Sequence, residues 1–346
     1  MSKKIPVTVV SGFLGSGKTT LLNHVLASGV AGQEAGRIAV IINEIGAIGL
    51  DHRLVKHISD NVVLLESGCV CCSVRGELVG ALRDLFMAAL QRRIPAFSRV
   101  LIETTGLADP SPVMYTLLYE PFLSQRYVYD GCISVVDAVH GRQQLQAHPE
   151  AMQQVILADA IVISKADLAP PNELEAVLAV LDKVNATAAR YFMGSLPALN
   201  TLLEAGSLHT ATARDVDRLS GDSMSGFVRR LSRSPQAAHA DIQVVTIQWT
   251  KPISRSVFIK AISHLQAAES SRLLRIKGLV QFLGESEFAV IHGVHQQLYP
   301  VEPFAMATSQ LPEQHRGPSF LMFILRGEPA DEFEKKARQL LFGDET

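Results

Sequence analysis

Short apolar runs alternate with amphipathic segments over roughly the first 200 residues of the chain. The runs are rich in Val, Ile and Leu and lack the apolar–polar alternation of a half-exposed strand, which is typical of parallel strands buried on both faces. We predict strands at Ile5–Val10, Arg37–Ile42, Val62–Leu65, Arg99–Glu103, Gly131–Val136 and Ala160–Ile163. A helical face between strands is marked by Leu78, Leu82, Leu85, Phe86, Ala89 and Leu90. This alternation predicts an α/β domain in which helices cover both faces of a parallel sheet.

The pattern changes near residue 207, where Ser, Arg, Asp and Gly become frequent and the periodicity weakens, which indicates a linker. Further strands are predicted at Ile242–Gln248, between Leu273 and Val301, and at Phe320–Leu325. Helices are predicted over Ser254–Ala267 and around an apolar face of Phe333, Ala337, Leu340 and Leu341. Strands with flanking helices favour a small α+β domain. We therefore expect a first domain over residues 1–206, a linker over 207–240 and a smaller C-terminal domain over 241–346.

Composition and charge exclude several classes of protein. The 346 residues are 47% hydrophobic and 19% charged, which is typical of globular domains rather than disordered chains. The net charge of −2 offers no bulk electrostatic reason to expect nucleic acid or an anionic membrane as partner. The longest run without Asp, Glu, Lys or Arg is Thr19–Gln33, 15 residues, whereas a membrane helix needs about 20. With no secretory cleavage site after the basic N-terminus, we expect a cytoplasmic protein with reduced thiols.

A phosphate-binding motif follows the first predicted strand. Gly12–Thr19 reads GFLGSGKT and fits the P-loop pattern G-x-x-x-x-G-K-[ST]. Because it leads into a helical run, backbone N–H groups and a helix N-terminus would converge on the phosphates. Lys18 would reach the β- and γ-phosphates, and the Thr19 hydroxyl would ligate Mg²⁺. Nucleotide contacts are expected from Gly12, Gly15, Ser16, Gly17, Lys18, Thr19 and Thr20.

Polar groups also follow the other predicted strands, where ligands of parallel sheets bind. They are Asn43-Glu44, Glu66-Ser67-Gly68, Glu103-Thr104-Thr105-Gly106, Asp137 and Ser164-Lys165-Ala166-Asp167. Guanine presents two N–H donors on one edge that a carboxylate can accept together, whereas adenine does not. Asp167 would take this role, with the Lys165 stem along the base. The Lys-x-Asp pattern therefore favours GTP over ATP.

Three of the four cysteines, Cys69, Cys71 and Cys72, lie within four consecutive residues, while Cys132 lies in an apolar run and fits a core position. Three cysteines around one valine cannot all point inward, and a disulfide between them would be strained. No histidine lies closer in sequence than His57, which disfavours nucleophilic catalysis. Thiolates instead favour Zn²⁺ or Cu(I). A fourth ligand could be Glu44, Glu66, His52 or His57, or the position could stay open for metal transfer.

The P-loop, the Glu103–Gly106 sequence ETTG, the Gly68–Cys72 sequence GCVCC and the Ser164–Asp167 sequence SKAD occur in this order. The chain resembles the CobW-type GTPases, a group of metal chaperones. The resemblance extends to Ile38–Gly46, Asp109-Pro110, Asp130–His140, Arg275–Gly278 and His292–Val294.

The resemblance implies Mg²⁺-dependent GTP hydrolysis that drives loading or release of a transition metal, mostly zinc and in some branches cobalt, for a client metalloprotein. Glu103 would act near Mg²⁺ through water, and Gly106 would lie in the segment that senses the γ-phosphate. Ser164, Lys165 and Asp167 would read the base, Cys69, Cys71 and Cys72 would hold the metal, and Ser73–Arg75 would contact the nucleotide.

The chain departs from the family pattern at three positions. Ser164 replaces the usual Asn, which we expect to weaken base recognition without moving Asp167. Ala47 replaces a glutamate of many relatives, and Ile42 replaces a glutamate of one branch, so carboxylate metal sites of relatives are not expected here. Two other functions stay open from the residues alone: a nucleotide-regulated zinc sensor or buffer without significant turnover, and a small-molecule kinase that uses the same loop.

Overall fold

The computed structural model describes residues 4–29, 37–42, 62–66, 74–185, 188–197, 202, 242–286, 288–298, 301–303, 319–327 and 330–343. The chain divides into two compact units, one containing residues 1–181 and 188–207 and the other containing residues 182–187 and 208–346. The linker predicted at 207–240 lies outside the described residues. The division into residues 1–206, 207–240 and 241–346 drawn from the sequence stays a prediction.

The first unit alternates strands and helices along the chain. Its elements are β1 Ile5–Gly12, α1 Lys18–Gly29, β2 Ile38–Ile42, β3 Val62–Glu66, α2 Val74–Leu90, β4 Arg99–Glu103, α3 Ser111–Tyr119, α4 Pro121–Arg126, β5 Tyr127–Asp137, α5 Gly141–Ala147, α6 Pro149–Leu157, β6 Ala160–Ser164, α7 Pro171–Val184 and β7 Ala189–Phe192. A single 3₁₀ turn, Met193–Ser195, follows β7. All six strands predicted from the apolar runs are present.

The strands form one sheet in the order β3-β2-β4-β1-β5-β6-β7, and each neighbouring pair is parallel. Every residue of β2 and β6 is buried, so both faces of the sheet are covered. This confirms the predicted P-loop NTPase type of parallel sheet. The seventh strand, β7, was missed because it is only four residues long and half-exposed at the sheet edge, so it lacks the apolar run that marks the others.

The order of the strands positions the functional site. β1 lies between β4 and β5, so successive strands were added on opposite sides of it, and ligands of such sheets bind beyond the strand ends at this switch point. Val10 of β1 is in register with Glu103 of β4, and Asp137 of β5 is in register with Ser164 of β6. Four strand ends therefore present their polar residues side by side.

Cys132 belongs to the core, as predicted from its apolar surroundings. Its side chain is fully buried in β5. The Cys132 N–H donates to Asp159 Oδ2 at 3.0 Å, and the Asp159 N–H donates to the Cys132 carbonyl at 2.7 Å. This reciprocal pair of hydrogen bonds joins β5 to the residue before β6 and leaves the thiol a packing role.

The second unit is an antiparallel sheet with helices. Its elements are β8 Ile242–Trp249, α8 Arg255–Ala268, β9 Leu273–Gln281, β10 Phe288–Val294, β11 Gln297–Leu298, β12 Glu302–Pro303, β13 Ser319–Arg326 and α9 Ala330–Phe342. The sheet order is β11-β10-β9-β13-β8, and β12 pairs with β10.

The core of the second unit lies between this sheet and its helices. Phe258 of α8 meets Phe282 edge to face at 5.3 Å, and Phe323 of β13 meets Phe333 of α9 at 5.0 Å. Ala337 and Leu341 continue the buried face of α9, while Leu340 is partly buried. The predicted α+β architecture is confirmed. Within the described ranges of the whole chain, no helix is long and apolar enough to cross a membrane.

Candidate nucleotide site

The loop between β1 and α1 has a backbone that requires glycine. Gly12, Gly15 and Gly17 have φ angles of +140°, +69° and +99°, a region that side chains other than glycine rarely adopt. A Cβ atom at Gly12 would lie 2.4 Å from the Val135 carbonyl oxygen of the neighbouring strand β5. The Ser16 N–H donates to the Phe13 carbonyl at 3.1 Å and closes a turn within the loop. The motif spacing thus encodes a tight strand–loop–helix connection, as predicted.

Lys18 and the start of α1 bring positive charge to this loop. Lys18 Nζ donates to the carbonyls of Gly12 at 3.0 Å and Phe13 at 3.2 Å, which holds the ammonium group against the loop. α1 begins at Lys18, so its N-terminal N–H groups and the positive end of its dipole face the same region. Thr20 is exposed on the first turn. A lysine and a helix N-terminus at one loop favour a bound phosphate.

Thr19 and Glu103 meet although they are 84 residues apart in sequence. Thr19 Oγ1 donates to Glu103 Oε1 at 3.0 Å, and the Glu103 carboxylate is buried at the end of β4. A hydroxyl and a carboxylate are hard oxygen donors of the kind that Mg²⁺ takes alongside phosphate oxygens. The contact therefore fits Thr19 as the predicted Mg²⁺ ligand and Glu103 in the role near Mg²⁺ that the resemblance implies.

The segment after β4, residues 104–108, packs directly on the loop between β1 and α1, residues 13–17, which we call the phosphate loop. The Thr104 N–H donates to the Val10 carbonyl at 3.0 Å. A Cβ atom at Gly106 would lie 2.6 Å from the Leu14 backbone nitrogen and 2.7 Å from Leu14 Cα. Only glycine allows this approach, so Gly106 contacts the loop where a γ-sensing residue is expected.

Gln154 of α6 holds the same segment, and sequence reasoning missed it. Gln154 Nε2 donates to the carbonyls of Gly106 at 3.1 Å and Ala108 at 3.0 Å. The available signal was a pair of glutamines, Gln153 and Gln154, in an otherwise apolar stretch, and residues 151–157 of α6 are all buried. A buried amide needs hydrogen-bond partners, which marks such a position for inspection.

Ser164 and Lys165 bind the opposite side of the loop. Ser164 Oγ donates to the Ser16 carbonyl at 2.6 Å, and Lys165 Nζ donates to the Gly15 carbonyl at 2.9 Å. Lys165 Nζ also lies 2.7 Å from Asp137 Oδ2. Ser164 and Lys165 of the SKAD motif thus support the phosphate loop through hydrogen bonds from their side chains to its backbone carbonyls.

Asp137 anchors this arrangement, although the sequence placed it only at a strand end. Its Oδ1 accepts the N–H groups of Val139 at 2.7 Å and His140 at 3.2 Å, while Oδ2 faces Lys165. Burial by itself would raise the pKa of Asp137. The hydrogen bonds from Lys165 and the two N–H groups outweigh burial and hold the pKa of Asp137 below its ordinary value. Asp137 is therefore a charged anchor for Lys165.

The remaining predicted site residues are less well defined by contacts. Asp167 is exposed beyond β6, and its role in reading the base stays a prediction. Cys69, Cys71 and Cys72 lie outside the described residues, between Glu66, which ends β3, and Val74, which begins α2. Four other candidates also lie outside the described residues: the possible fourth metal ligands Glu44, His52 and His57, and the possible nucleotide contact Ser73. Among the residues that the structure does describe, no group of three or more His, Cys, Asp or Glu could hold a metal ion.

The loop glycines, the lysine, the Thr19–Glu103 pair and the Gly106 approach define a P-loop nucleotide-binding protein. Residues 6–192 match the family model of the CobW/HypB/UreG nucleotide-binding domain, and residues 242–341 match the cobalamin synthesis protein CobW C-terminal domain. The chain belongs to the CobW family, which confirms the resemblance noted from its motifs.

Named relatives fall in the same family. The chain is 34% identical over 306 residues to the zinc chaperone YjiA of Escherichia coli (strain K12), covering 86% of this chain and 88% of the relative. It is 34% identical over 233 residues to the zinc chaperone CobW of Pseudomonas aeruginosa, covering 58% and 56%. The crystal structure of the Zn(II)-bound YjiA GTPase from E. coli superposes with a TM-score of 0.67 at 27% identity, covering 98% of this chain and 99% of that one.

Proposed function

We propose that this protein is a GTP-hydrolysing metal chaperone that carries zinc to a client metalloprotein. The observation that carries the hydrolytic part is the 3.0 Å contact of Thr19 Oγ1 with the buried Glu103 carboxylate beside the phosphate loop. A nucleoside triphosphate bound at this loop would contact a lysine and a helix N-terminus and would lie beside the Thr19 hydroxyl and the Glu103 carboxylate. Positioning and charge neutralisation are the main requirements of phosphoryl transfer.

Each role toward the nucleotide falls to a residue that the structure describes. Lys18 would contact the β- and γ-phosphates, and the loop N–H groups would bind their oxygens. Thr19 would ligate Mg²⁺ and Glu103 would act near it through water, and the bound ion would neutralise charge on the β- and γ-phosphates. Gly106 would register the γ-phosphate, since it already contacts Leu14 of the loop. Lys165 and Asp167 would select guanine, which predicts that GTP outcompetes ATP.

The metal cargo is assigned to Cys69, Cys71 and Cys72. Three close thiolates suit Zn²⁺, and cobalt is a second candidate. Both relatives described above carry the name zinc chaperone, which supports zinc as the cargo. Because binding linkage is reciprocal, GTP that tightens zinc binding must itself bind more tightly in the presence of zinc by the same factor.

The test is a zinc titration with and without a non-hydrolysable GTP analogue, joined to a phosphate-release assay with Mg²⁺. We expect the analogue to change zinc affinity, and Cys71→Ser to abolish tight zinc binding while nucleotide binding persists. The buried Cys132→Ser is the matched control and keeps zinc affinity.

Equal zinc affinity with and without the analogue contradicts a nucleotide-controlled chaperone. Zinc binding without phosphate release indicates the sensor or buffer instead. An ATP preference in competition indicates a kinase, and zinc affinity that survives Cys71→Ser shows that the metal site lies elsewhere.

A further inference from the structure

Helix α6 touches the nucleotide site at two separate points. His148, which precedes the first helical residue, stacks on Phe13 of the phosphate loop with ring centroids 4.5 Å apart and an interplanar angle of 24°. Six residues later, Gln154 binds the segment 104–108. Because residues 151–157 are buried, α6 is a firm support for both contacts. One helix therefore bridges the loop that binds phosphate and the segment that would sense it.

The Gln154 side chain uses its full donor capacity on that segment. Its amide group has two N–H donors, and the contacts to Gly106 and Ala108 occupy both, which identifies Nε2 and Oε1 unambiguously. Gln154 Oε1 is buried and has no hydrogen-bond partner within the described residues.

Gly106 is held from two sides. Its α-carbon packs against Leu14, where a Cβ atom would lie 2.6 Å from the Leu14 nitrogen, and its carbonyl accepts from Gln154. In a trans peptide the C=O and the following N–H point in opposite directions. The bond to Gln154 therefore also directs the Leu107 N–H away from α6. Gln154 thus sets the orientation of the peptide group that adjoins the phosphate loop.

We propose that Gln154 is a positioning residue for the γ-phosphate-sensing segment 104–108. It acts through Gly106 and Ala108 and holds the segment in the orientation that closes on the phosphate loop. The inference rests on the proposed function, because it takes GTP to be the nucleotide whose γ-phosphate Gly106 senses. It follows that GTP binding and turnover depend on Gln154, whereas GDP binding does not.

Two variants test this on the full-length protein. Gln154→Met keeps the length and apolar volume of the side chain but removes both donors, and Gln154→Glu keeps the shape while placing carboxylate oxygens against two carbonyls. The matched control is Gln266→Met in the second unit, where another buried glutamine donates through Nε2 to the His295 carbonyl at 3.1 Å. The control removes a similar hydrogen bond within the second unit, which contains none of the described nucleotide-site residues.

We expect Gln154→Met to lower kcat for GTP about tenfold and to raise the Kd of a non-hydrolysable GTP analogue about tenfold, while the Kd of GDP stays within about twofold. Gln154→Glu is expected to show the same selective loss or a larger one, and it decides the question if the methionine variant fails to fold. Gln266→Met is expected to leave all three constants unchanged.

The ratio of analogue affinity to GDP affinity separates positioning from simple destabilisation. Equal losses for GDP and the analogue, or unchanged values of kcat and both affinities, overturn the inference. A wild-type protein that turns over no GTP overturns the proposed hydrolytic function instead. In that event the affinity ratio in the Gln154 variants still decides whether Gln154 positions the segment.

Discussion

Replacing Asp137 with asparagine removes the charge that anchors Lys165 and keeps the shape of the side chain. The asparagine carbonyl can still accept the N–H groups of Val139 and His140, which Asp137 Oδ1 accepts now. What is lost is the ion pair across 2.7 Å to Lys165, the residue that also donates to the Gly15 carbonyl. The substitution therefore isolates the electrostatic support of the phosphate loop.

The magnitude follows from the burial of the two partners. The Asp137 side chain is 1% exposed and the Lys165 side chain is 37% exposed. Exposed pairs contribute about 0–1 kcal/mol, whereas breaking a fully buried pair costs about 3–5 kcal/mol. Breaking this half-buried pair should lower the free energy of unfolding by ~2 kcal/mol, a value between these two ranges. A loss of that size lowers the Tm of a domain of this size by about 4–8 °C. Because Lys165 keeps its contact with Gly15, we expect GDP affinity to fall less, about tenfold or ~1.4 kcal/mol.

The effect depends on pH in one direction. The folded protein holds the pKa of Asp137 below the ordinary value of 3.8, so the carboxylate contributes stability above about pH 4. That contribution is lost as the pH falls through the folded-state pKa, because the protonated acid no longer pairs with Lys165. In the Asp137→Asn variant, the side chain at position 137 no longer titrates. The difference in Tm between wild type and Asp137→Asn should therefore be constant near neutral pH and shrink below about pH 4.

Thermal unfolding from pH 3 to 8 and calorimetric titration with GDP measure both effects. The control is Glu173→Gln, which removes a more exposed ion pair with Arg142 at 3.8 Å. The Arg142 side chain is 49% exposed and the Glu173 side chain is 34% exposed. We expect that control to change stability by less than about 0.5 kcal/mol. If Asp137→Asn matches Glu173→Gln in both Tm and GDP affinity, the anchoring role assigned to Asp137 is wrong.

Two further substitutions probe the phosphate loop from its neighbours. Gly106→Ala adds a Cβ atom 2.6 Å from the Leu14 nitrogen, so the segment must retreat from the loop. Equilibrium titration should show that the variant binds the non-hydrolysable GTP analogue roughly tenfold more weakly than wild type, with GDP affinity unchanged. If the variant and wild type bind the analogue equally, the role assigned to the Gly106–Leu14 contact is wrong. Ser164→Ala deletes the 2.6 Å hydrogen bond to the Ser16 carbonyl, which should cost about 1 kcal/mol and weaken GDP binding about fivefold. A fluorescent-GDP titration checks this, and unaltered affinity would show that the serine hydroxyl is dispensable.

Local sequence patterns predicted much of the fold because they reside in contiguous residues. The apolar runs of β1, β2 and β6 mark buried parallel strands without any knowledge of their neighbours, and the helical spacing along α2 does the same. β7 escaped this reasoning, since a short edge strand buries too little to require an apolar run. The P-loop glycines were equally readable, because their φ angles of +69° to +140° exclude most other residues.

The site was only partly predictable. Lys18 and Thr19 were assigned from the P-loop pattern and Glu103 from the family resemblance, and the structure brings Thr19 and Glu103 within 3.0 Å. Gln154 escaped notice because a helical glutamine, here beside Gln153 in an otherwise apolar stretch, has no defined partner until the helix is packed. Asp137 was noticed at a strand end, but its function depends on Lys165, which reaches it from the next strand.

By itself, then, the sequence determined which segments become strands and helices, where the phosphate loop lies and which family the chain resembles. These properties depend on periodicity and on residues close together in the chain. The tertiary structure decided which strand ends are neighbours, and hence that Glu103, Asp137 and Ser164 surround one loop. It also decided that Gln154 reaches Gly106 across 48 residues. Strand order, register and helix packing arise from contacts between distant segments, and no local pattern specifies such contacts.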